Sequence, residues 1–430
     1  MRPIIFHIDV NSAYLSWTAV EQLKNGAALD LRTIPAIIGG DQKSRHGVVL
    51  AKSIPAKKFG IRTGEPVANA MRKCPNLHIE PPDHKLYHNY SEKLMEFLRG
   101  YTKEIEQVSV DECYMDFTGI AGKYASPVAA AFEIKDKIYE MFGFTVNIGI
   151  SGNKLLAKMA SDFEKPNRVH TLFPEEIRVK MWPLPVQDLF MAGRASVETL
   201  QKLEISTIGD LAQTDPSILE LHLKSHGRML WEFANGMDDS SVQSEETAAK
   251  GIGNSTTLPQ DAVTREAAVK VLYELAQSVG RRLRKAGKKA SMVSTEIKYA
   301  TFQSVSHQKQ LERPSDEDQV IYEEACRLFD ELWSGEPIRL LGIRSSKLTD
   351  SGQPEQISMF DAEFVAEQTK RAKLSEKHKK LNTAMESICK RYGKDAVVKA
   401  SDLAKKRGEV TVMDVTNRRS FLDTGTSPAL

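Results

Sequence analysis

The apolar positions over roughly the first 170 residues follow two periods in turn. Ile4 to Val10 is a mostly apolar run of strand length, and Ser12 to Lys24 repeats at helical spacing. Ile105 to Val110 and Tyr114 to Thr118 read as a hairpin, Pro127 to Met141 as a helix and Thr145 to Ile150 as a strand. Strand-helix-strand-strand-helix-strand is the order of a ferredoxin-like unit. The interruption at about 30–80 is rich in Gly, Lys and Arg and too long for a simple loop, which predicts a small subdomain.

Between about 175 and 240 the pattern turns helical, with Leu200, Leu203, Ile205, Ile208 and Leu211 around Gly209-Asp210. The polar stretch Asp238 to Thr247 reads as a linker. Thr264 to Lys285 then places Ala268, Leu272, Leu275 and Val279 on one helical stripe, with Arg281, Arg282, Arg284 and Lys285 at its end. Ser291 to Ala300 alternates as a strand: Val293, Thr295, Ile297 and Tyr299 on one face, Ser294, Glu296 and Lys298 on the other. A helix over Glu317 to Trp333 and a strand over Ile338 to Ile343 complete an α+β unit, and the chain is polar and then basic beyond Ser345.

A chain of 430 residues exceeds what one core organises, so two to four domains are expected. Cys74, Cys113, Cys326 and Cys389 form no Cys-x-x-Cys pair, which argues against a zinc site or disulfide framework and for a reducing cytoplasm. No signal peptide or membrane-length apolar run is read from the sequence. The net charge of +2 hides an uneven distribution. Residues 250–310 carry roughly +7 and residues 365–407 roughly +8. A basic stretch of this kind is either a solvated face or a nucleic-acid contact.

The chemistry lies in acids at the ends of apolar runs: Asp9 after Ile4 to Ile8, and Asp111-Glu112 before Cys113 to Met115. Neighbouring strand residues face opposite ways, so Asp111 and Glu112 share a site only at a strand end or hairpin tip. Three convergent carboxylates raise one another's pKa unless cations are present, and hard divalent ions, Mg²⁺ above all, relieve that cost. A lone acid at such a place is more often a capping group.

Five segments together resemble the Y-family DNA polymerases of the bacterial translesion group, over about residues 1–350. Asp9-Val10-Asn11-Ser12-Ala13-Tyr14 and Ser109-Val110-Asp111-Glu112 resemble the two metal motifs. Lys52 to Gly64 is similar to the fingers motif, Ala160 to Asn167 to the Lys-Pro-Asn motif, and Ile252 to Pro259 to the opening of the little finger. The resemblance implies an α+β multidomain right-hand polymerase, with a ferredoxin-like palm (1–24 and 80–174), small fingers (25–79) and a helical, helix-hairpin-helix thumb (175–240). A linker (241–247), an α+β little finger (248–348) and a polar, basic tail (349–430) follow.

It further implies that Asp9, Asp111, Glu112 and the Val10 carbonyl hold two Mg²⁺ ions for in-line attack of a primer 3′-hydroxyl on a dNTP. Tyr14 corresponds to the steric gate that excludes a 2′-hydroxyl, although an aromatic here would otherwise be read as core packing. Lys57 and Lys165 correspond to triphosphate contacts. Many relatives have Tyr and Arg where this chain has Ile54 and Lys57; isoleucine cannot hydrogen-bond and lysine lacks arginine's fork. Lys52 or Ser53 is a candidate substitute, although a solvated surface role is the leading reading for Lys52 and Lys58.

Gly193 lies in the implied thumb hairpin, and Arg281, Arg282, Arg284 and Lys298 would follow the phosphate backbone of primer-template DNA. Gln356-Ile357-Ser358-Met359-Phe360 resembles the peptide that docks on the sliding clamp, the beta subunit of DNA polymerase III, with Gln356, Met359 and Phe360 as anchors. A cytoplasmic monomer doing low-fidelity translesion synthesis is the expectation. The rival is a polymerase-like accessory factor that grips DNA but has lost catalysis. A nucleotidyl cyclase is the third reading, and it leaves the thumb, the basic region and the clamp-like peptide unexplained.

Overall fold

The computed structural model describes residues 2–40, 47–245 and 249–352, with Ala384, Ser387, Ile388 and Arg391 beyond them. Gln356, Met359 and Phe360 lie outside the described residues.

The palm is a five-stranded sheet ordered β5-β6-β1-β7-β8: β1 (Ile5–Val10), β5 (Ile105–Gln107), β6 (Glu112–Asp116), β7 (Val146–Ser151) and β8 (Val169–Thr171). Its first four strands keep the ferredoxin-like order and pair antiparallel, while β8 adds a parallel edge to β7. The period of two on β1 divides the two faces. Phe6, Ile8 and Val10 enter the main core with α1 (Ala13–Lys24), α4 (His84–Arg99) and α5 (Pro127–Phe142). Ile5, His7 and Asp9 point the other way, toward α6 (Lys154–Asp162), whose Ala157 packs on Ile5 and Tyr114. This helix lies unusually close to β7. A Cβ at Gly149 would fall 2.0 Å from the Ala157 carbonyl oxygen and 2.5 Å from the Ser161 nitrogen, so only glycine admits the approach.

The fingers insertion is a β3-β2-β4 sheet, β2 (Ala36–Gly39), β3 (Val49–Lys52) and β4 (His78–Glu80), with the short α2 (Ile54–Lys58) and α3 (Val67–Lys73). A small core of Ile37, Val49, Ala56, Ile61, Val67 and neighbours holds it. Helices α7 (Arg194–Lys202), α8 (Ile208–Gln213), α9 (Pro216–Leu223) and α10 (Ser225–Ala234) form the thumb. Their core is shared with Leu155, Leu156 and Met159 of α6, so the thumb is seated on the palm rather than independent of it.

The segment after α10 is more than a spacer. Asn153 Nδ2 donates to the Gly236 carbonyl (2.9 Å), and Leu155 N donates to Asp238 (3.0 Å). Val242 packs against the Ile5–Tyr114–Ala157 cluster, Gln243 N donates to Glu106 (2.8 Å) and Ser244 Oγ to Glu104 (3.0 Å).

Four strands ordered β11-β10-β12-β9 form the little finger: β9 (Gly251–Ala262), β10 (Lys288–Tyr299), β11 (Ser304–Ser315) and β12 (Ile338–Asp350). Helices α11 (Arg265–Lys285) and α12 (Asp318–Leu332) cover one face, burying Val293, Thr295, Ile297 and Tyr299. On the other face an open groove of about 730 Å³ is lined by Gly251, Gly253, Ser255, Ser294, Glu296 and Arg344. Strands β9 and β11, absent from the sequence reading, are the two edges. β11 is mainly exposed and β9 mostly half-buried, and ladder hydrogen bonds hold much of both, so they carry little apolar alternation. For the same reason β12 runs on to Asp350 rather than ending at Ile343.

Candidate active site

The carboxylates meet where β1 and β6 end. Asp9 is opposite Glu112 in the antiparallel register, placing both on the α6 side of the sheet. Asp111 lies just before β6, free of the strand's alternation, as two adjacent acids serving one site require. Three bonds to Ser109 shape this corner. Its hydroxyl donates to Asp111 Oδ1 (2.6 Å) and accepts from the Asp111 and Glu112 nitrogens (3.2 Å each). Val10 N donates to the Asp111 carbonyl (2.9 Å), tying the two motifs together, and Ser12 turns the chain into α1 in a left-handed conformation (φ 50°).

Two lysines compensate the acids. Lys165 forms ion pairs with Asp9 and with Asp162 (2.8 Å), and Lys158 with Glu112 (2.8 Å) and, more loosely, Asp162 (3.6 Å). Burial pulls the Lys165 ammonium down, but Asp9 and then Asp162 outweigh it and its pKa is raised. His7, fully buried behind the acids, lies 3.4 Å from Glu112 through Nε2 and is hydrogen-bonded to Ser161 through Nδ1 (2.8 Å). That imidazole and then Lys158 hold Glu112 down at about 2. Asp111 has no such cation: burial, with Asp9 and Glu112 adding to it, raises its pKa despite the Ser109 bond. One acid of the three is therefore left electrostatically uncompensated.

Hard oxygen donors of this kind suit a divalent cation. Among the described residues, however, no three His, Cys, Asp or Glu side chains converge on a common point as they stand. The reason is visible: Asp9 and Glu112 are turned to their lysines. The donor set fits such ions, and the three carboxylates could meet on one only if Lys165 and Lys158 gave way.

Tyr14, half-exposed at the start of α1, stacks flat on Tyr87 with ring centroids 4.3 Å apart and meets the edge of His84. Burial and then the nearby Asp111 raise its phenol pKa, so it borders the carboxylates. In the fingers, Ser53 is excluded as a substrate ligand. Its hydroxyl caps α2 by accepting from Ala56 N (3.1 Å), accepts also from Ala36 N and donates to Ile34 O (2.7 Å). Lys52 remains: burial and then Lys57 lower its pKa. Ile54 and Lys57 are exposed on α2.

In the thumb hairpin Met191, not a glycine, takes the left-handed position (φ 69°), and Gly193 caps α7 in an extended conformation. Arg281 and Arg282 are exposed, Arg282 donating to the Gly253 carbonyl (2.5 Å), and Lys298 is half-buried at the open face. Arg284 does not share that exposure. It is mostly buried in an ion pair with Asp318 (2.8 Å) and donates to the Asp316 carbonyl (2.9 Å), so it joins α11 to α12 instead of projecting toward a duplex.

Residues 8–162 match the impB/mucB/samB family and residues 249–359 its C-terminal domain. The chain belongs to this family. It is 46% identical to the DNA polymerase IV of Clostridium acetobutylicum over 408 residues, 94% of this chain and all of that one. It is 36% identical to DNA polymerase IV 1 of Bacillus subtilis over 94% of each chain. A solved Y-family DNA polymerase chimera, Dbh-Dpo4(243-245)-Dbh, superposes with a TM-score of 0.70 at 22% identity, covering 81% of this chain and 99% of that one, and shares its right-hand fold. Family membership makes the chain an enzyme, a DNA-directed DNA polymerase. No helix among the polymerase's described residues is long and apolar enough to cross a membrane.

Sequence reasoning overlooked Lys158 and His7 in the polymerase site. Their signals were present: His7 is two residues before Asp9 on the same strand face, and Lys158 precedes Asp162 by one helical turn.

Proposed function

We propose that this DNA polymerase extends a primer by two-metal phosphoryl transfer and works in low-fidelity translesion synthesis during DNA repair. The register placing Asp9 opposite Glu112, with Asp111 at the strand end, carries the reading. Asp9, Asp111, Glu112 and the Val10 carbonyl would hold two Mg²⁺ ions, which supply charge neutralisation for the primer oxygen and the triphosphate when bound. Lys165, released from Asp9, is then a cation at the edge of the same site and contacts the triphosphate. Lys57 and Lys52 contribute charge from the fingers. Tyr14, backed by Tyr87 on one side, is rigid enough to reject a 2′-hydroxyl by collision.

Gly193 in the thumb and Arg281, Arg282 and Lys298 in the little finger hold DNA through its backbone, without sequence readout. The small fingers core leaves little surface to test the shape of the new base pair, in keeping with low fidelity. Gln356, Met359 and Phe360 dock on the sliding clamp, and the enzyme acts as a cytoplasmic monomer. Primer extension with Mg²⁺ tests the reading against an Asp111→Ala/Glu112→Ala control. Loss of extension with duplex binding retained supports it, and extension by the double variant refutes it.

A further inference from the structure

The strand β7 reads Val146-Asn147-Ile148-Gly149-Ile150, and Asn147 breaks its apolar run at a position with no solvent exposure. A buried amide is costly unless its bonds are made, and an asparagine side chain offers two donors and two acceptor sites. All four are used. Nδ2 donates to the Glu164 carbonyl (2.7 Å) and the Ser161 carbonyl (3.0 Å); Oδ1 accepts from Arg168 N (3.2 Å) and Asn11 Nδ2 (3.1 Å). Asn147 thus grips residues 164 and 168, both ends of the loop that carries Lys165.

Two further side chains extend the grip. Asn11, two residues after Asp9, accepts through Oδ1 from Asn167 N (2.9 Å) and from Thr145 Oγ1 (2.9 Å). Lys135 of α5, itself almost fully buried, donates to Asn167 Oδ1 (3.0 Å) and pairs with Asp136 (2.6 Å). Asn167 stands in the left-handed region (φ 60°), a conformation asparagine tolerates, and is held there from both sides.

We propose that Asn147, with Lys135 behind it, is a positioning residue for nucleotide binding: it fixes the 164–168 loop so that the Lys165 ammonium is delivered to the triphosphate. This rests on the reading of Lys165 as a triphosphate ligand. The bonds at Asn147 run to backbone groups and Asn11 and involve neither the carboxylates nor Lys165 itself, so a filled site would leave them in place while Lys165 exchanged Asp9 for substrate. A long, flexible lysine on a loose loop would spend most of its time elsewhere; on a fixed loop the cation is preorganised.

The test is single-nucleotide incorporation on a primer-template with Mg²⁺, measuring kcat and the dNTP KM for Lys165→Ala, Asn147→Ser, their double variant and Lys135→Met. Asn147→Ser should raise the dNTP KM at least about 10-fold with kcat nearly unchanged, and add little once Lys165 is alanine. A purely structural role would lower kcat through the active fraction, leave KM in place and add fully to Lys165→Ala, which overturns the inference. If Asn147→Ser does not fold, Lys135→Met decides: a raised KM supports the proposal, an unchanged KM overturns it. Lys165→Ala with an unchanged KM defeats the underlying assignment of Lys165. A raised KM there with none in Asn147→Ser defeats this inference alone.

Discussion

Glu112→Gln, studied without divalent ions, measures how far the lysine and histidine compensate the acids. The substitution keeps the shape and removes the charge that faces His7 and Lys158. Holding a carboxyl at about 2 instead of 4.5 corresponds to about 3 kcal/mol in favour of the ionised folded state. With 22% of the Glu112 side chain exposed, about 2 kcal/mol is the working figure. Because the folded pKa is depressed, this stabilisation is complete above the unfolded value near 4.5 and is lost as pH falls through about 2. Hydrogen exchange read on peptides spanning Ile105–Phe117, in EDTA, should show the variant opening about 30-fold more readily at pH 7. The gap should shrink to less than half, in free-energy terms, at pH 3. Equal protection at pH 7, or a gap that widens on acidification, would refute the electrostatic account.

Tyr14→Ala should raise ribonucleotide incorporation relative to deoxyribonucleotide by about 10–100-fold, since the ring stacked on Tyr87 is what a 2′-hydroxyl would strike; competition between dCTP and CTP in primer extension reads the ratio. The two neighbouring arginines should part company. Arg282→Gln should weaken duplex binding and reduce its salt slope by about 1, measured by anisotropy across salt concentrations. Arg284→Gln should instead lower the thermal midpoint of the little finger, at a cost of about 1.5–3 kcal/mol for the lost charged hydrogen bonds to Asp318 and the Asp316 carbonyl, with the salt slope intact.

Much of the fold was legible because the buried elements carry strong periods. The alternation of Val293, Thr295, Ile297 and Tyr299 marked β10, and the stripe Ala268, Leu272, Leu275 and Val279 marked α11; both faces are buried. The edge strands β9 and β11 were illegible because each sends only a few apolar side chains into the core and leaves the rest to its hydrogen-bond ladder. In the site, acids at the ends of apolar runs announced themselves. Lys158 and His7 did not, because they come from α6 and β1 and meet Glu112 only through sheet order; Lys165 stood out in its own motif, but its pairing with Asp9 did not. Arg284 shows the reverse error. A run of cations at a helix end looks uniform in sequence, while the α11–α12 packing turns one of them inward.

The bonds that fasten residues 236–244 to the palm also set a radius of search. With Val242, Gln243 and Ser244 anchored, Gly251 at the head of β9 is seven residues along the chain from Ser244, so covalent geometry alone keeps the two within about 25 Å. So short a covalent connection would give this module a high effective concentration beside any duplex bound in the palm. If the little finger holds DNA as proposed, a release would leave it close enough to rebind before the primer end diffused away.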